Sequence, residues 1–208
     1  MKRIKRLMIT VLVLAVLFAA GIWLFVDYAQ FGFAREVELR EQELREEIVT
    51  TAQRWVGTKE GDPKHAKILE IYNTHEPLAE NYVVQPEDNW CATFCSAVAV
   101  ECNLTDIIPT ECGCERQIGL WMELGNWEEK DNYLPLPGDF IYYAWDEKFS
   151  LDDCQGWADH VGIVVGTAGP FIKVIEGNWA DSVTYRVIFQ NHWQIRGYGL
   201  PDYANNAE

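Results

Sequence analysis

Basic residues are scarce in this sequence: 17 lysines and arginines stand against 32 aspartates and glutamates in 208 residues. Four of those basic residues lie within the first six positions, and without them the formal charge of −15 becomes −19. A surface this acidic argues against nucleic acid and anionic lipid headgroups as binding partners. It leaves uncharged and zwitterionic ligands open.

Charge of either sign is absent between Leu7 and Val26, a run of about 20 residues that can cross a bilayer as a helix. A secretory signal has a shorter apolar region, about 7–15 residues, that ends at a small-residue cleavage site. Here the apolar run continues past Ala19-Ala20-Gly21, so an uncleaved membrane anchor over residues 7–26 is favoured over a cleaved signal. Because the basic residues precede the run, we expect the tail in the cytoplasm and the remainder outside.

Charged residues return densely after the apolar run. Residues 27–44 alternate in charge and are predicted to form a juxtamembrane helix that acts as a stalk. From Leu44 to Val56 apolar residues recur at helical spacing, which predicts a helix that packs on the domain and ends at Gly57. Residues 45–205 are long enough for one domain with its own core.

The domain changes character halfway along. Its first half predicts helices at 66–72, 91–102 and 114–124. After the breaker 135–139, strand-forming residues predict strands at 140–145, 160–165, 171–176 and 183–189, with a weaker one at 195–198. Helices followed by an antiparallel meander are typical of an α+β domain, with the helices packed on a sheet of about five strands.

Cys91 is the first candidate functional residue. Asp88 and Asn89 are good N-cap residues, and the helix formers after them place Cys91 in the first helical turn. Backbone N–H groups there lack intrahelical partners and the helix dipole is positive, which favours the nucleophilic thiolate. A buried core cysteine fits the same helix, so the helix alone does not decide between the two.

His160, Glu176 and Asn178 complete a possible catalytic set with Cys91. His160 opens one predicted strand, whereas Glu176 ends the next and shares a face with Asn178. If the two strands pair as a hairpin, these side chains stand together at one end of it. A thiol, an imidazole and a polar group that orients the imidazole can attack a carbonyl carbon and protonate the leaving amine.

The remaining cysteines leave several structures open. In an extracytoplasmic domain they suggest disulfides, and a bridge from Cys102 to Cys112 or Cys114 is one possibility. Cys95 is predicted to be a core residue, and the partner of Cys154 stays undetermined. A zinc site built from residues 91, 95, 112 and 114 is an alternative, although its spacing matches the usual zinc knuckles poorly.

Five segments occur in one order over residues 46–203. They are Asn89-Trp90-Cys91-Ala92-Thr93-Phe94, Pro137-Gly138-Asp139-Phe140-Ile141-Tyr142-Tyr143, Asp159-His160-Val161-Gly162-Ile163-Val164, Ile175-Glu176-Gly177-Asn178 and Gly197-Tyr198-Gly199-Leu200-Pro201. Together they resemble a CHAP-type amidohydrolase/peptidase domain. That family is related to the NlpC-type and papain-like cysteine hydrolases that cut bacterial cell-wall peptides.

The resemblance implies a papain-like core and a role for each candidate residue. Cys91 would be the nucleophile and His160 the general base and acid. Glu176 would orient the imidazole, Asn178 would be a further polar member of the site, and the Cys91 N–H would be one oxyanion donor. The implied substrate is the peptide stem or cross-bridge of peptidoglycan, and we expect no cofactor and no metal.

One stretch departs from the family pattern. Residues 146–156 replace what is often a short or Asp/Gly-rich loop, so a calcium site is not expected there. Asp146, Asp152 and Asp153 are instead predicted to belong to a solvated loop.

The leading hypothesis is a single-pass, membrane-anchored cysteine amidase or endopeptidase outside the bacterial cytoplasmic membrane. A second is a catalytically silent binding or scaffold domain of a cell-envelope or secretion assembly. A third is a structural module held by zinc or disulfides, which predicts either bound metal or no free thiol at Cys91.

Overall fold

The computed structural model describes residues 2–130, 132–145 and 156–207. In these ranges the chain forms four α-helices: α1 (Lys2–Arg54), α2 (Pro63–Asn73), α3 (Cys91–Glu101) and α4 (Cys114–Glu123). Six strands follow: β1 (Trp127–Glu128), β2 (Phe140–Tyr143), β3 (His160–Ala168), β4 (Phe171–Glu176), β5 (Thr184–Phe189) and β6 (Ile195–Gly199). The prediction of an α+β domain is confirmed.

The strands form one open antiparallel sheet in the order β1-β6-β2-β3-β4-β5. Strands β2 to β5 follow one another as a meander, as predicted. Strand β6 departs from the meander because it returns to pair with β2. Strand β1 was not predicted from the sequence, because its two residues, which pair with β6, are too few to give a periodic pattern. Helix α3 packs against α2 and, within the sheet, mainly against β3. Its N-terminus lies near the start of β3, where Cys91 Sγ is 4.0 Å from the Asp159 carbonyl oxygen.

Helix α1 is continuous through the apolar segment and the predicted stalk into the domain. From Val16 it is long and apolar enough to cross a membrane, and by length and composition a signal sequence meets the same criterion. Its apolar side chains are exposed there, with Phe18 at 73 % and Trp23 at 71 %. Burial against the domain begins at Leu44, where the sequence pattern predicted it.

A buried ion pair joins α1 to the sheet. The Arg45 Nη1 atom lies 2.9 Å from Asp139 Oδ1 and also donates to the Pro137 carbonyl at 3.0 Å. The Asp139 carboxylate accepts two further hydrogen bonds, from the Tyr133 hydroxyl at 2.7 Å and the Leu136 N–H at 2.8 Å. Several partners of this kind satisfy a buried carboxylate, so α1 is held firmly at the start of β2.

A second buried network fixes α3 and α4 against each other. The Trp121 indole donates to the Tyr142 hydroxyl at 2.7 Å, and that hydroxyl donates to Gln117 Oε1 at 2.9 Å. Gln117 Nε2 in turn donates to Ser96 Oγ on α3 at 3.4 Å. Because the chain of bonds crosses β2, α4 and α3, it fixes the relative position of the two helices.

The structure corrects two predicted helix ends. Trp90, not Asp88 or Asn89, is the residue that precedes α3, and its side chain makes no capping hydrogen bond. The Asp88 carboxylate instead accepts bonds from the Tyr82 hydroxyl and the Gln85 N–H, both at 2.7 Å. Helix α1 ends at Arg54, three residues before Gly57, whose N–H donates to Val183 at 2.9 Å.

Of the predictions about the cysteines, one is wrong and one is confirmed. Among the described residues Cys91, Cys95, Cys102, Cys112 and Cys114 are all free thiols, so the suggested bridge from Cys102 is wrong. Cys95 is fully buried, as predicted. Within the described ranges no cluster of three or more metal-ligating side chains occurs. Cys154 and the three aspartates at 146, 152 and 153 lie outside the described residues.

Candidate active site

Cys91 is the first residue of α3 and is only 4 % exposed. Its N–H lies at the helix N-terminus, where backbone donors have no intrahelical partner. A close approach by Gly177 lets α3 lie against the end of β4. A Cβ at Gly177 would come within 2.5 Å of the Phe94 Cβ, a distance that side chains do not tolerate. Glycine at this position therefore lets Cys91 lie close to the strand ends.

His160 and Glu176 face each other across the β3–β4 pair. His160 is the first residue of β3, and its Nε2 lies 3.2 Å from Oε2 of Glu176, the last residue of β4. Glu176 pairs in register with Gly162, not with His160, so its side chain reaches across diagonally. With Nε2 facing the carboxylate, Nδ1 is the ring nitrogen left to face Cys91.

Gly162 provides the space for this diagonal contact. A Cβ there would lie 2.7 Å from Glu176 Cγ and 2.9 Å from the Ile175 carbonyl oxygen. We therefore expect Gly162→Ala to displace Glu176 from His160 and to lower the free energy of unfolding by about 1–3 kcal/mol. Urea titration measures the loss. Gly166→Ala is the matched control on the same strand, because its Cβ would meet no atom within 4 Å. Equal stability of both variants would contradict this account.

The surroundings of Cys91 stabilise its thiolate. The nearest sulfur is Cys114 Sγ, 3.6 Å from Cys91 Sγ. A hydrogen bond from the Cys114 thiol, opposed by burial and assisted by a hydrogen bond from His160 and its positive charge, lowers the pKa of Cys91 well below its ordinary value. The Ala92 N–H contributes in the same direction.

The imidazole responds in the opposite direction. Burial disfavours the charged ring, but hydrogen bonds to Cys91 and Glu176, together with their negative charges, raise the pKa of His160 to about 9. Both shifts favour a thiolate beside an imidazolium over a neutral thiol beside a neutral imidazole. Because the two groups interact, the apparent pKa values at which they titrate belong to the pair and not to either residue alone.

Alkylation tests for this ion pair. Since the pKa of Cys91 is lowered, a larger fraction of Cys91 is thiolate at pH 6 than of an ordinary thiol of pKa about 8.5, which is more than 99 % protonated there. We expect the rate at which iodoacetamide modifies Cys91 to fall less between pH 8 and pH 6 than that of an ordinary thiol, which slows about 100-fold. Labelling of Cys112, a half-buried thiol with a raised pKa, supplies the internal control. A 100-fold loss at Cys91 as well would contradict the ion pair.

Arg186 is a part of the site that the sequence did not indicate. Its Nη1 lies 3.6 Å from Glu176 Oε1, on the side of the carboxylate away from His160. The guanidinium also lies over three aromatic rings, with its Cζ 4.6 Å from the ring centroid of Tyr143, 4.9 Å from Trp145 and 4.5 Å from Trp179. These contacts enclose a buried cation next to a buried carboxylate.

A cavity of about 370 Å³ opens onto the sulfur and the imidazole. Its lining residues are Asn89, Cys91, Trp145, Asp159, His160 and Asn178. Of the four predicted site residues, three line this cavity and Glu176 lies behind His160. The Asn178 amide contacts Asn89 Oδ1 at 3.4 Å, and Asn178 has a positive φ of 56° that ends the strand. It therefore lies beside the site without contacting His160 through a hydrogen bond of its own.

Sequence reasoning did not select Asn89, Trp145, Asp159 or Arg186 for the site. Asn89 lies two residues before Cys91, and Asp159 lies one residue before His160. Their position at the site therefore follows from the short stretch of backbone that connects them to these residues. Trp145 stacks on Tyr143 with ring centroids 5.3 Å apart, and it meets Trp179 at 5.4 Å. Strand alternation places Arg186 and Ile188 on the same face of β5. The residues around Arg186 in the sequence do not indicate which side chain it contacts.

Comparison of the chain with protein-family models, with curated protein sequences and with solved structures finds no match.

Proposed function

We propose that this chain is a membrane-anchored cysteine amidase or endopeptidase with a papain-like core. It hydrolyses amide bonds in the peptide stem or cross-bridge of peptidoglycan, outside the bacterial cytoplasmic membrane. The observation that carries the proposal is that Cys91 and His160 line the same cavity, with the Glu176 carboxylate 3.2 Å behind the imidazole of His160.

The chemistry of these residues matches an acyl transfer. The Cys91 thiolate attacks the carbonyl carbon, and the N–H at the start of α3 donates to the oxyanion that forms. His160 then gives its proton to the leaving amine, which frees the first product and leaves a thioester on Cys91. Water, deprotonated by the now neutral imidazole, attacks the thioester and regenerates the thiolate. Glu176 holds the ring in the orientation that both steps need.

The N-terminal helix supports a location beside the membrane. Four basic residues before the apolar run favour a cytoplasmic tail, and the domain then lies outside. Between Asp27 and Glu43 the helix carries no side chain buried in the domain, a stretch of about 25 Å at 1.5 Å per residue. The site is therefore held close to the membrane-proximal layer of the wall.

Digestion of purified peptidoglycan tests the proposal. The full-length protein in detergent should release fragments with new amino termini, which mass spectrometry identifies, and those termini also name the bond that is cut. Cys91→Ala should release none. If the wild-type chain releases nothing while folded, the silent scaffold is the better account. Equal release by Cys91→Ala would remove the nucleophile from the mechanism.

A further inference from the structure

Cys114 is a second buried thiol at the site, and the mechanism above does not use it. It is the first residue of α4 and is 7 % exposed. Its sulfur lies 3.6 Å from that of Cys91, so each sulfur sits at the N-terminus of its own helix. The buried network from Trp121 to Ser96 joins the two helices and keeps the two sulfurs in contact.

The distance between the sulfurs is small enough for a covalent bond. A disulfide has a sulfur–sulfur distance of about 2.05 Å, so the pair must approach by about 1.5 Å, a movement that two side chains can share. Cys91 lines the cavity, whereas Cys114 is not among its lining residues. An oxidant small enough to enter would therefore meet Cys91 first.

We propose that Cys114 is the resolving cysteine of Cys91, and that a hydroperoxide converts the pair into a disulfide that reversibly blocks the nucleophile. The formation of this bond depends only on the two sulfurs. Its effect on hydrolysis rests on the proposed function.

The reaction balances with one peroxide as the oxidant. The Cys91 thiolate attacks one peroxide oxygen, the O–O bond breaks and hydroxide leaves, so that Cys91 becomes a sulfenic acid. The Cys114 sulfur then attacks the Cys91 sulfur and expels the hydroxyl group, which leaves as water with the Cys114 proton. Two thiols and one hydrogen peroxide thus give one disulfide and two waters. A dithiol reductant returns both electrons.

The electrostatics of the pair set the order of these steps. While Cys91 is a thiolate, its hydrogen bond to the Cys114 thiol, together with burial, raises the pKa of Cys114 well above the ordinary value. Cys114 therefore stays protonated and unreactive in the reduced protein. Oxidation makes Cys91 neutral and removes the charge that retained the proton, so Cys114 becomes a better nucleophile at the moment when it is needed.

Peptide mapping without reduction tests the proposal on the full-length protein. After limited hydrogen peroxide treatment, cleavage after Glu101 and Glu111 separates the fragment that carries Cys91 from the fragment that carries Cys112 and Cys114. We expect the two fragments to be linked, and fragmentation spectra to place the link at Cys91. Dithiothreitol should separate them and restore a thiol that can be alkylated.

Two variants decide which cysteine resolves the oxidised sulfur. In Cys112→Ser the second fragment retains only Cys114, so a link in this variant assigns the bond, and its absence overturns the proposal. In Cys114→Ser we expect no link, and Cys91 should proceed to sulfinic acid that dithiothreitol does not reduce. If Cys114→Ser fails to fold, the mapping in Cys112→Ser still decides. Because the mapping needs no substrate, its outcome is independent of whether the chain hydrolyses peptidoglycan.

Discussion

Replacement of His160 by alanine is expected to lower kcat/KM for peptidoglycan hydrolysis roughly 10³- to 10⁶-fold. In the proposed mechanism, the variant loses both the base that holds the Cys91 proton and the acid that protonates the leaving amine. It also loses a group that lowers the pKa of Cys91, so alkylation of Cys91 at pH 6 should slow in the same variant. Rates of amine release and of alkylation, measured on one preparation, check both effects.

The proposed roles of His160 and Cys91 also predict how hydrolysis by the wild-type protein depends on pH. Since the pKa of His160 is raised to about 9, the imidazolium that donates the proton is present below that pH and is lost above it. Since the pKa of Cys91 is lowered, the thiolate is present above its own pKa and is lost as the pH falls through it. Hydrolysis should therefore be fastest between these limits and decline toward pH 9 and beyond.

His75→Ala provides the control for the loss of a histidine. His75 lies two residues after α2 and lines a separate cavity between residues 75–80 and the loop before α4. This variant should retain wild-type hydrolysis and alkylation. Undiminished hydrolysis by His160→Ala, with an unfolding midpoint near that of the wild type, would remove the imidazole from the reaction.

The elements that carry the site could be predicted because their signals are local. The helix that begins at Cys91 and the strands that contain His160 and Glu176 each follow from a short pattern of residue types. Even the proximity of His160 and Glu176 follows from strand alternation, once the hairpin is assumed. What alternation does not give is the register. Glu176 lies opposite Gly162, and a glycine side chain of one hydrogen makes the diagonal contact possible.

Contacts between distant elements were not predictable in this way. Arg186 reaches Glu176 from an adjacent strand, and Cys114 reaches Cys91 from another helix, 23 residues along the chain. The expected location outside the cytoplasm suggested disulfides, with Cys102 as a possible partner of Cys112 or Cys114, whereas the packing of α4 on α3 brings Cys114 to Cys91. The prediction of Asp88 as a helix cap was wrong for a related reason, because the Asp88 carboxylate accepts hydrogen bonds from Tyr82 and Gln85 within its own loop.

Glu176→Gln is expected to lower kcat/KM roughly 10²- to 10⁴-fold while leaving the cavity in place. The amide keeps the shape of the side chain but removes the negative charge that stabilises the imidazolium of His160. Because that charge contributes to the raised pKa of His160, the pKa should fall, and the alkaline decline of hydrolysis should move to lower pH. A pH–rate profile of the variant measures the shift.

The same substitution should also destabilise the fold, for a reason unrelated to catalysis. Arg186 is 14 % exposed and would lose its opposite charge, and breaking a buried pair in this way costs on the order of 3 kcal/mol. The double variant Glu176→Gln/Arg186→Met removes the orphaned charge and should recover much of that stability. It should recover none of the hydrolysis, because His160 still faces an amide. If hydrolysis returned together with stability, Glu176 would act only through packing, and the imidazole would need no carboxylate partner.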